Sequence, residues 1–344
     1  MRALLYESFA APIAVADLPD PVAPDGGAIV RVAASGLCRS DWHAWAGHDD
    51  TVRLPHVPGH EFVGVVEAVG DGVERWRAGD RVTAPFVNGC GRCEWCRSGQ
   101  AQVCPDQTQP GFTHWGSHAE LVAVRAADLN LVAVPDDIDD AAAASLGCRF
   151  ATAYRAITAR ARIRPGEWVA VYGAGGVGLS AVMIAAALGA RPIAVDRAPA
   201  ALELARAFGA EHTLEAGDGT PDAIAALTGG GAHVSVDAVG SPATAGAAVR
   251  SLRRRGRHVQ IGLLAGGGPV LPLDRVIGWE LDVLGSHGMA AADYAGMLDL
   301  VASGAVSPRA LVGARVGLAE AARLLPEAAT APPVGITVLD PTRD

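Results

Sequence analysis

Short segments in which apolar and polar residues alternate, IAVADL, AIVRVAASG, FVGVVEAVG and AELVAVRA, recur over roughly the first 147 residues and are broken by Gly and Pro. A period of two with frequent turn residues is the trace of half-buried strands, so this region predicts a compact β-rich domain. From about residue 150 the rhythm becomes strand then helix: WVAVYG, a helix through Leu188, RPIAVD, a helix through Phe208, HVSVDAVG, another helix, HVQIGLL and LDVLGS. Such alternation predicts a parallel sheet wound on both faces. The tail from about residue 286, with two apparent helices and a final strand GITVL, is too short for a third domain and is expected to return to the first.

Length agrees with this division, because 344 residues exceed what one compact core usually absorbs. Half of the residues are hydrophobic and 19% are charged, with a net charge of -9, which argues against a nucleic-acid surface. The one dense basic run, Arg253-Arg254-Arg255, is expected at the end of a helix, as a solvated cap that suits the helix dipole rather than a polyanion site. All 28 positively charged side chains are arginines, so any mechanism that requires a lysine Schiff base or lysine general base is excluded. MRALLYESFA has none of the features of a secretory signal and no apolar run reaches a membrane span, so cytoplasmic residence and no membrane partner are the default expectations.

Within the alternating region, VAVYGAGGVGLSAVMIAAALGA places Gly173, Gly175 and Gly178 in G-x-G-x-x-G, with Gly176 and Val177 between the last two. The motif is weak alone. Here it follows a buried strand and opens an apolar helix, and Asp196 closes the next strand. The glycines allow a tight turn and close backbone approach, so that a pyrophosphate rests on the helix N-terminus. Asp196 would accept hydrogen bonds from the ribose hydroxyls and repel a 2'-phosphate, which favours NAD over NADP, although Arg197 beside it could tolerate a phosphate.

The six cysteines fall into two groups. Cys90, Cys93, Cys96 and Cys104 stand in CGRCEWCRSGQAQVC at a C-x2-C-x2-C-x7-C spacing that suits a closed zinc site of four thiolates. Such a site is structural, with free or redox-active thiols as the rival reading. Cys38 in GLCRSDWH, His60 in GHEFVG and Cys148 in SLGCRF are dispersed. Two thiolates and an imidazole would leave a fourth zinc position open, as in a catalytic site, but from spacing alone isolated Cys and His are more often packed in a core.

Residues 59 to 73, GHEFVGVVEAVGDGV, resemble the G-H-E-x2-G-x5-G-x2-V signature of the zinc alcohol dehydrogenases of the medium-chain dehydrogenase/reductase family at every fixed position. The GLCRSD segment, the cysteine loop, LGCRFATAY and the glycine motif with its Asp come in the family's order, so the resemblance spans nearly the whole chain. It implies an α/β protein: a Rossmann doubly wound NAD-binding domain over 150–285, and a GroES-like β-rich catalytic domain over 1–149 and 286–344 with a structural zinc lobe at about 88–106.

The resemblance further implies two zinc ions per subunit. Cys38, His60 and Cys148 match the catalytic ligands, and Glu61 matches a carboxylate behind the metal that can replace water. Asp41 matches the acid that orients His60. Ser40 matches the hydroxyl that touches the substrate oxygen, and His43 the solvent end of a proton relay running through the nicotinamide ribose. Arg39 matches a pyrophosphate contact, and Thr152 and Val177 flank the nicotinamide. Cys90, Cys93, Cys96 and Cys104 match the structural site. The implied reaction is reversible hydride transfer between an alcohol and NAD, with zinc acidifying the alcohol or polarising the carbonyl. Cys148 resembles the alcohol branch, since polyol-acting members often have a carboxylate there.

Blander readings stand beside these: Ser40 and Asp41 as caps of a helix beginning near Cys38, His43 as an exposed helix residue, Glu61 as a satisfied strand carboxylate, Thr152 and Val177 as packing. Two family positions differ. PPVGITV lacks an arginine that some members use on the pyrophosphate, and Ala201 stands where some have a ribose-binding lysine. Trp42, Trp45, Phe86, Phe112 and Trp115 are candidates for an aromatic lining that would take a medium or large apolar alcohol, or else for core packing. The family resemblance favours a homotetramer over a dimer. A polyol or hydroxy-amino-acid dehydrogenase is the first alternative, and a non-enzymatic nucleotide- or zinc-binding protein the second.

Overall fold

A computed structural model describes residues 1–264, 271–328 and 335–343. The chain packs as two units, Met1–Ala151 with Gly288–Asp344, and Thr152–His287. Both crossings lie two residues beyond the division expected from the sequence, at 151 and 287 in place of 149 and 285.

The spine of the first unit is the strand Ala28–Leu37, which pairs antiparallel with Phe62–Val69, Leu121–Val124 and Ile336–Leu339. Side chains alternate across a strand. Ala28, Val30 and Val32 therefore share a buried cluster with Phe62, Val66, Val82, Val122 and Val124, while Arg31 turns outward to pair with Glu67 at 2.7 Å. The register with Phe62–Val69 slips between Ile29 and Val30 and again between Val32 and Ala34. Each slip bends the strand and re-aims its far end, the end that leads into Cys38. The C-terminal strand comes back to this place, with Thr337 opposite Leu37. Beyond it lies Val312–Val316, parallel to Ile336–Leu339, a strand that the sequence pattern did not announce.

The second unit is a six-stranded parallel sheet in the order His212–Glu215, Arg191–Asp196, Trp168–Tyr172, Ala232–Asp237, Leu252–Gln260, Asp282–Gly285. Trp168–Tyr172 is buried throughout, as expected of a central strand covered on both faces. From it the chain builds outward on one side through Arg191–Asp196 and His212–Glu215, then returns to add Ala232–Asp237 on its other side, which makes its carboxyl end the switch point where open α/β sheets bind ligands. The helix Gly176–Ala187 comes next, with Leu179, Val182 and Ile184 fully buried; each such side chain contributes about 1.5–3 kcal/mol by leaving water.

One expectation is corrected here. Arg253, Arg254 and Arg255 do not cap a helix: the helix Pro242–Arg250 ends earlier, and the three arginines begin the strand Leu252–Gln260. They are exposed where the register with Ala232–Asp237 shifts, and each has a local partner. Arg253 lies 2.9 Å from His233 Nε2, Arg254 donates to the Gly278 carbonyl at 3.3 Å, and Arg255 pairs with Glu280 at 2.5 Å. Among the described residues no helix is long and apolar enough to cross a membrane.

Candidate metal centres and dinucleotide loop

Three separate elements meet in the first unit. Cys38 directly follows the spine strand and N-caps the helix Arg39–Trp45. His60 and Glu61 precede the strand Phe62–Val69, and Cys148 precedes the helix Arg149–Arg155. One ligand atom each from Cys38, His60, Glu61 and Cys148 lie within 4.8 Å of one another.

Asp41 organises the imidazole. Its Oδ2 accepts the Cys38 backbone N-H at 2.8 Å, and its Oδ1 accepts Gly59 N-H at 3.1 Å and faces His60 Nδ1 at 2.8 Å. It therefore caps the helix and orients His60 at once, so the bland and the functional readings of Asp41 describe one residue. Burial opposes its charge, but His60 and His118 hold its carboxyl well below the usual range. An ionised carboxylate only accepts, which puts a proton on His60 Nδ1. His60 Nε2, on a ring 1% exposed, then has no partner among the described residues.

A buried polar atom without a partner costs about 1–3 kcal/mol, and here it sits among sulfur ligands. Hydrogen bonding with Cys148 pushes the Cys38 thiol well below its ordinary value, and the same bond pushes Cys148 well above. Burial disfavours a charged His60, yet Asp41 and Cys38 outweigh it and raise the imidazole. A cluster whose negative groups raise their neighbours calls for a cation. Two sulfurs, an orphaned nitrogen and their mutual distances fit a zinc ion bound by Cys38, His60 and Cys148.

The second cluster is local. The Sγ atoms of Cys90, Cys93, Cys96 and Cys104 lie within 4.8 Å of one another. Cys93 caps the short helix Glu94–Arg97 and accepts the Cys96 N-H at 3.4 Å; Cys104 accepts the Cys90 N-H at 3.4 Å. Backbone N-H groups, that of Arg92 first, pull the Cys90 thiol down to about 6, while burial pushes Cys96 up to about 12. A set of four thiols fits a closed zinc site. Apart from the cysteines, the apolar cluster here consists, among the described residues, of Ala101, Ala290 and Leu129, too little apolar surface to order the loop unaided.

Around the first cluster, Ser40 Oγ lies 3.7 Å from Cys38 Sγ. Arg39 is exposed on the first turn of its helix. His43 Nδ1 faces His48 Nδ1 at 3.0 Å, and Trp42 packs edge-on against both rings. Sequence reasoning missed His48; its one signal was a second histidine just past the same short helix. Phe112 and Phe86 pack against the His60 ring with centroids 5.2 and 6.1 Å away. Trp45 and Trp115 are tied elsewhere, through their ring N-H groups to the Ala11 and Pro55 carbonyls.

In the second unit, Gly173 adopts φ +93°, and a Cβ at Gly178 would strike the Gly173 carbonyl. The turn thus needs glycine at both places. Gly175 N-caps the helix with open space before it, and Gly176 and Val177 form its half-buried first turn. Asp196 reaches back to this loop, its Oδ2 accepting Ala174 N-H at 2.7 Å, while Arg197 points into solvent. Thr152 is buried with its hydroxyl unpartnered among the described residues. Of the PPVGITV segment, residues 332–334 lie outside the described residues.

Two family models match: the alcohol dehydrogenase GroES-like domain over 24–136 and the zinc-binding dehydrogenase domain over 176–303. An alcohol dehydrogenase of Geobacillus stearothermophilus is 36% identical over 310 residues, covering 89% of this chain and 90% of that protein. The structure of alcohol dehydrogenase TADH from Thermus sp. ATN1 matches with a TM-score of 0.91 and 32% identity over 99% of both chains. An NAD-dependent alcohol dehydrogenase structure matches with a TM-score of 0.88, also at 32% identity over 99% of both chains. The chain belongs to the zinc-dependent alcohol dehydrogenases of the medium-chain dehydrogenase/reductase family. It is an oxidoreductase with a GroES-like domain and a Rossmann-type parallel sheet.

Proposed function

We propose that this enzyme interconverts alcohols with aldehydes or ketones using NAD, with one zinc held by Cys38, His60 and Cys148 and a second by Cys90, Cys93, Cys96 and Cys104. The observation that supports it most is the convergence of Cys38, His60 and Cys148 around an unpartnered, buried His60 Nε2. Zinc bound there supplies Lewis acidity, which lowers the pKa of an alcohol and polarises a carbonyl.

The chain's own residues do the rest. Asp41 holds His60 in the tautomer that leaves Nε2 free to ligate. Ser40, beside Cys38, takes the substrate proton, and His43, paired with His48, passes it toward solvent. Phe86 and Phe112 against His60 form an apolar wall that suits medium-sized or larger apolar alcohols. The loop Gly173, Gly175, Gly176, Val177 and Gly178 receives the pyrophosphate, and Asp196 accepts the ribose hydroxyls and disfavours a 2'-phosphate. Arg39 and Arg197 contribute charge to cofactor binding, and Thr152 lies against the nicotinamide. The enzyme works as a homotetramer in the cytoplasm.

A panel of primary, secondary and polyhydric alcohols, read by nicotinamide absorbance with NAD+ and NADP+ in parallel, tests the reading. Turnover is expected with apolar alcohols and a preference for NAD+ of about tenfold or more. Protein that holds both zincs and binds NADH yet turns over no alcohol, aldehyde or ketone would overturn it.

A further inference from the structure

The carboxylate beside the catalytic metal position is engaged by an arginine. Glu61 is fully buried, and one of its oxygens lies within 4.8 Å of the ligand atoms of Cys38, His60 and Cys148. By distance it qualifies as a fourth protein ligand. Its acceptor capacity is committed elsewhere. Oε1 accepts the Arg149 backbone N-H at 2.8 Å and Nε-H at 3.0 Å; Oε2 accepts Nε-H at 2.8 Å and the Nη2 group in a shorter contact. A carboxylate offers about four lone-pair sites, and three N-H groups of one residue, with Nε-H shared between both oxygens, are directed at them.

The pair is sealed. Arg149 is 6% exposed, and a Cβ at Gly36 would strike both the Glu61 carboxylate and the Arg149 guanidinium. Gly36 also donates its N-H to the Glu61 carbonyl at 2.8 Å. Charge counting points the same way. Two thiolates neutralise a dication, so Glu61 would be a surplus negative charge without Arg149. If Glu61 swung onto the metal, Arg149 would be left as a buried, unpaired cation, an arrangement that is strongly disfavoured. Arg149 directly follows the ligand Cys148, so one turn of chain sets both the ligand and the lock.

We infer that Arg149 is a positioning residue that holds Glu61 off the metal and so keeps the fourth coordination position open to water and substrate. The inference rests on the catalytic-metal reading above. It replaces the ligand exchange that the family resemblance implies for Glu61 with a carboxylate that stays clamped.

Cobalt(II)-substituted enzyme, titrated with imidazole as an exogenous ligand and followed by visible absorption, tests it, because the bands report coordination number and geometry. Wild type is expected to bind imidazole with a clear spectral shift. In Arg149→Met the freed carboxylate fills the position, so imidazole binding weakens by at least about tenfold, and Arg149→Met/Glu61→Gln recovers it to within about threefold. Wild-type affinity in a folded, cobalt-loaded Arg149→Met protein would overturn the inference. Should Arg149→Met not fold, Glu61→Gln alone decides: an unchanged resting spectrum supports a carboxylate off the metal, and a shift to fewer ligands refutes it. Failure of the catalytic-metal reading itself looks different, since Cys148→Ser would then leave the cobalt content unchanged.

Discussion

Cys90, Cys93, Cys96 and Cys104 come from one loop, whereas Cys38, His60 and Cys148 come from three elements that only the first unit's sheet brings together. The loop cluster is satisfied by its own sulfurs and nearby backbone N-H groups, with a small apolar patch behind it. Behind the dispersed cluster stand an ionised Asp41 on the imidazole and a Glu61–Arg149 pair, all buried. A closed site needs only its ligands, because its work is to hold a loop. An open site needs a surrounding layer as well, since the position it leaves vacant must be defended from the protein's own donors.

Substitutions can break this contrast. The largest effect is expected from Cys148→Ser, which should lose one of two zincs and about a thousandfold in kcat/KM, equivalent to about 4 kcal/mol, while thermal unfolding changes little. Metal analysis beside steady-state kinetics checks it, and full turnover with both metals retained would remove Cys148 from the catalytic site. Cys96→Ser should do the reverse: lose the other zinc and lower Tm by about 5–10 °C, with kcat/KM of the protein that stays folded within about threefold. A differential scan of both variants decides whether the sites divide their labour in this way. Smaller again, Asp41→Asn should weaken zinc at the dispersed site by about 10- to 100-fold in a chelator competition and leave the four-cysteine site untouched. Equal loss from both sites would mean that Asp41 supports the fold rather than the imidazole.

Much of this was legible along the chain because its determinants are local. The alternation of AIVRVAASG and FVGVVEAVG, the apolar run WVAVY before the glycine turn, and the cysteine spacing each depend on near neighbours. Elements without a clean period were not. The strand His212–Glu215 is short and polar, and Val312–Val316 is mostly exposed; both form because a neighbouring strand offers hydrogen bonds. The arginines at 253 to 255 suggested a helix end, but a register shift leaves them exposed, with Arg254 and Arg275 beside Trp279. His48 drew no attention because its one mark along the chain, a second histidine just past the same short helix, does not say that the two rings meet.

By itself, then, the sequence determined the two-part α/β plan, the glycine turn with its acid, and the four-cysteine loop, since each is signalled by a pattern among residues close in the chain. Only the tertiary structure decided that Cys38, His60 and Cys148 converge, that Asp41 serves both a helix end and an imidazole, and that Glu61 is taken by Arg149. Those are pairings of side chains from distant segments, made specific by burial, where an unpartnered charge or hydrogen-bonding atom is costly and each group has to find its counterpart in space.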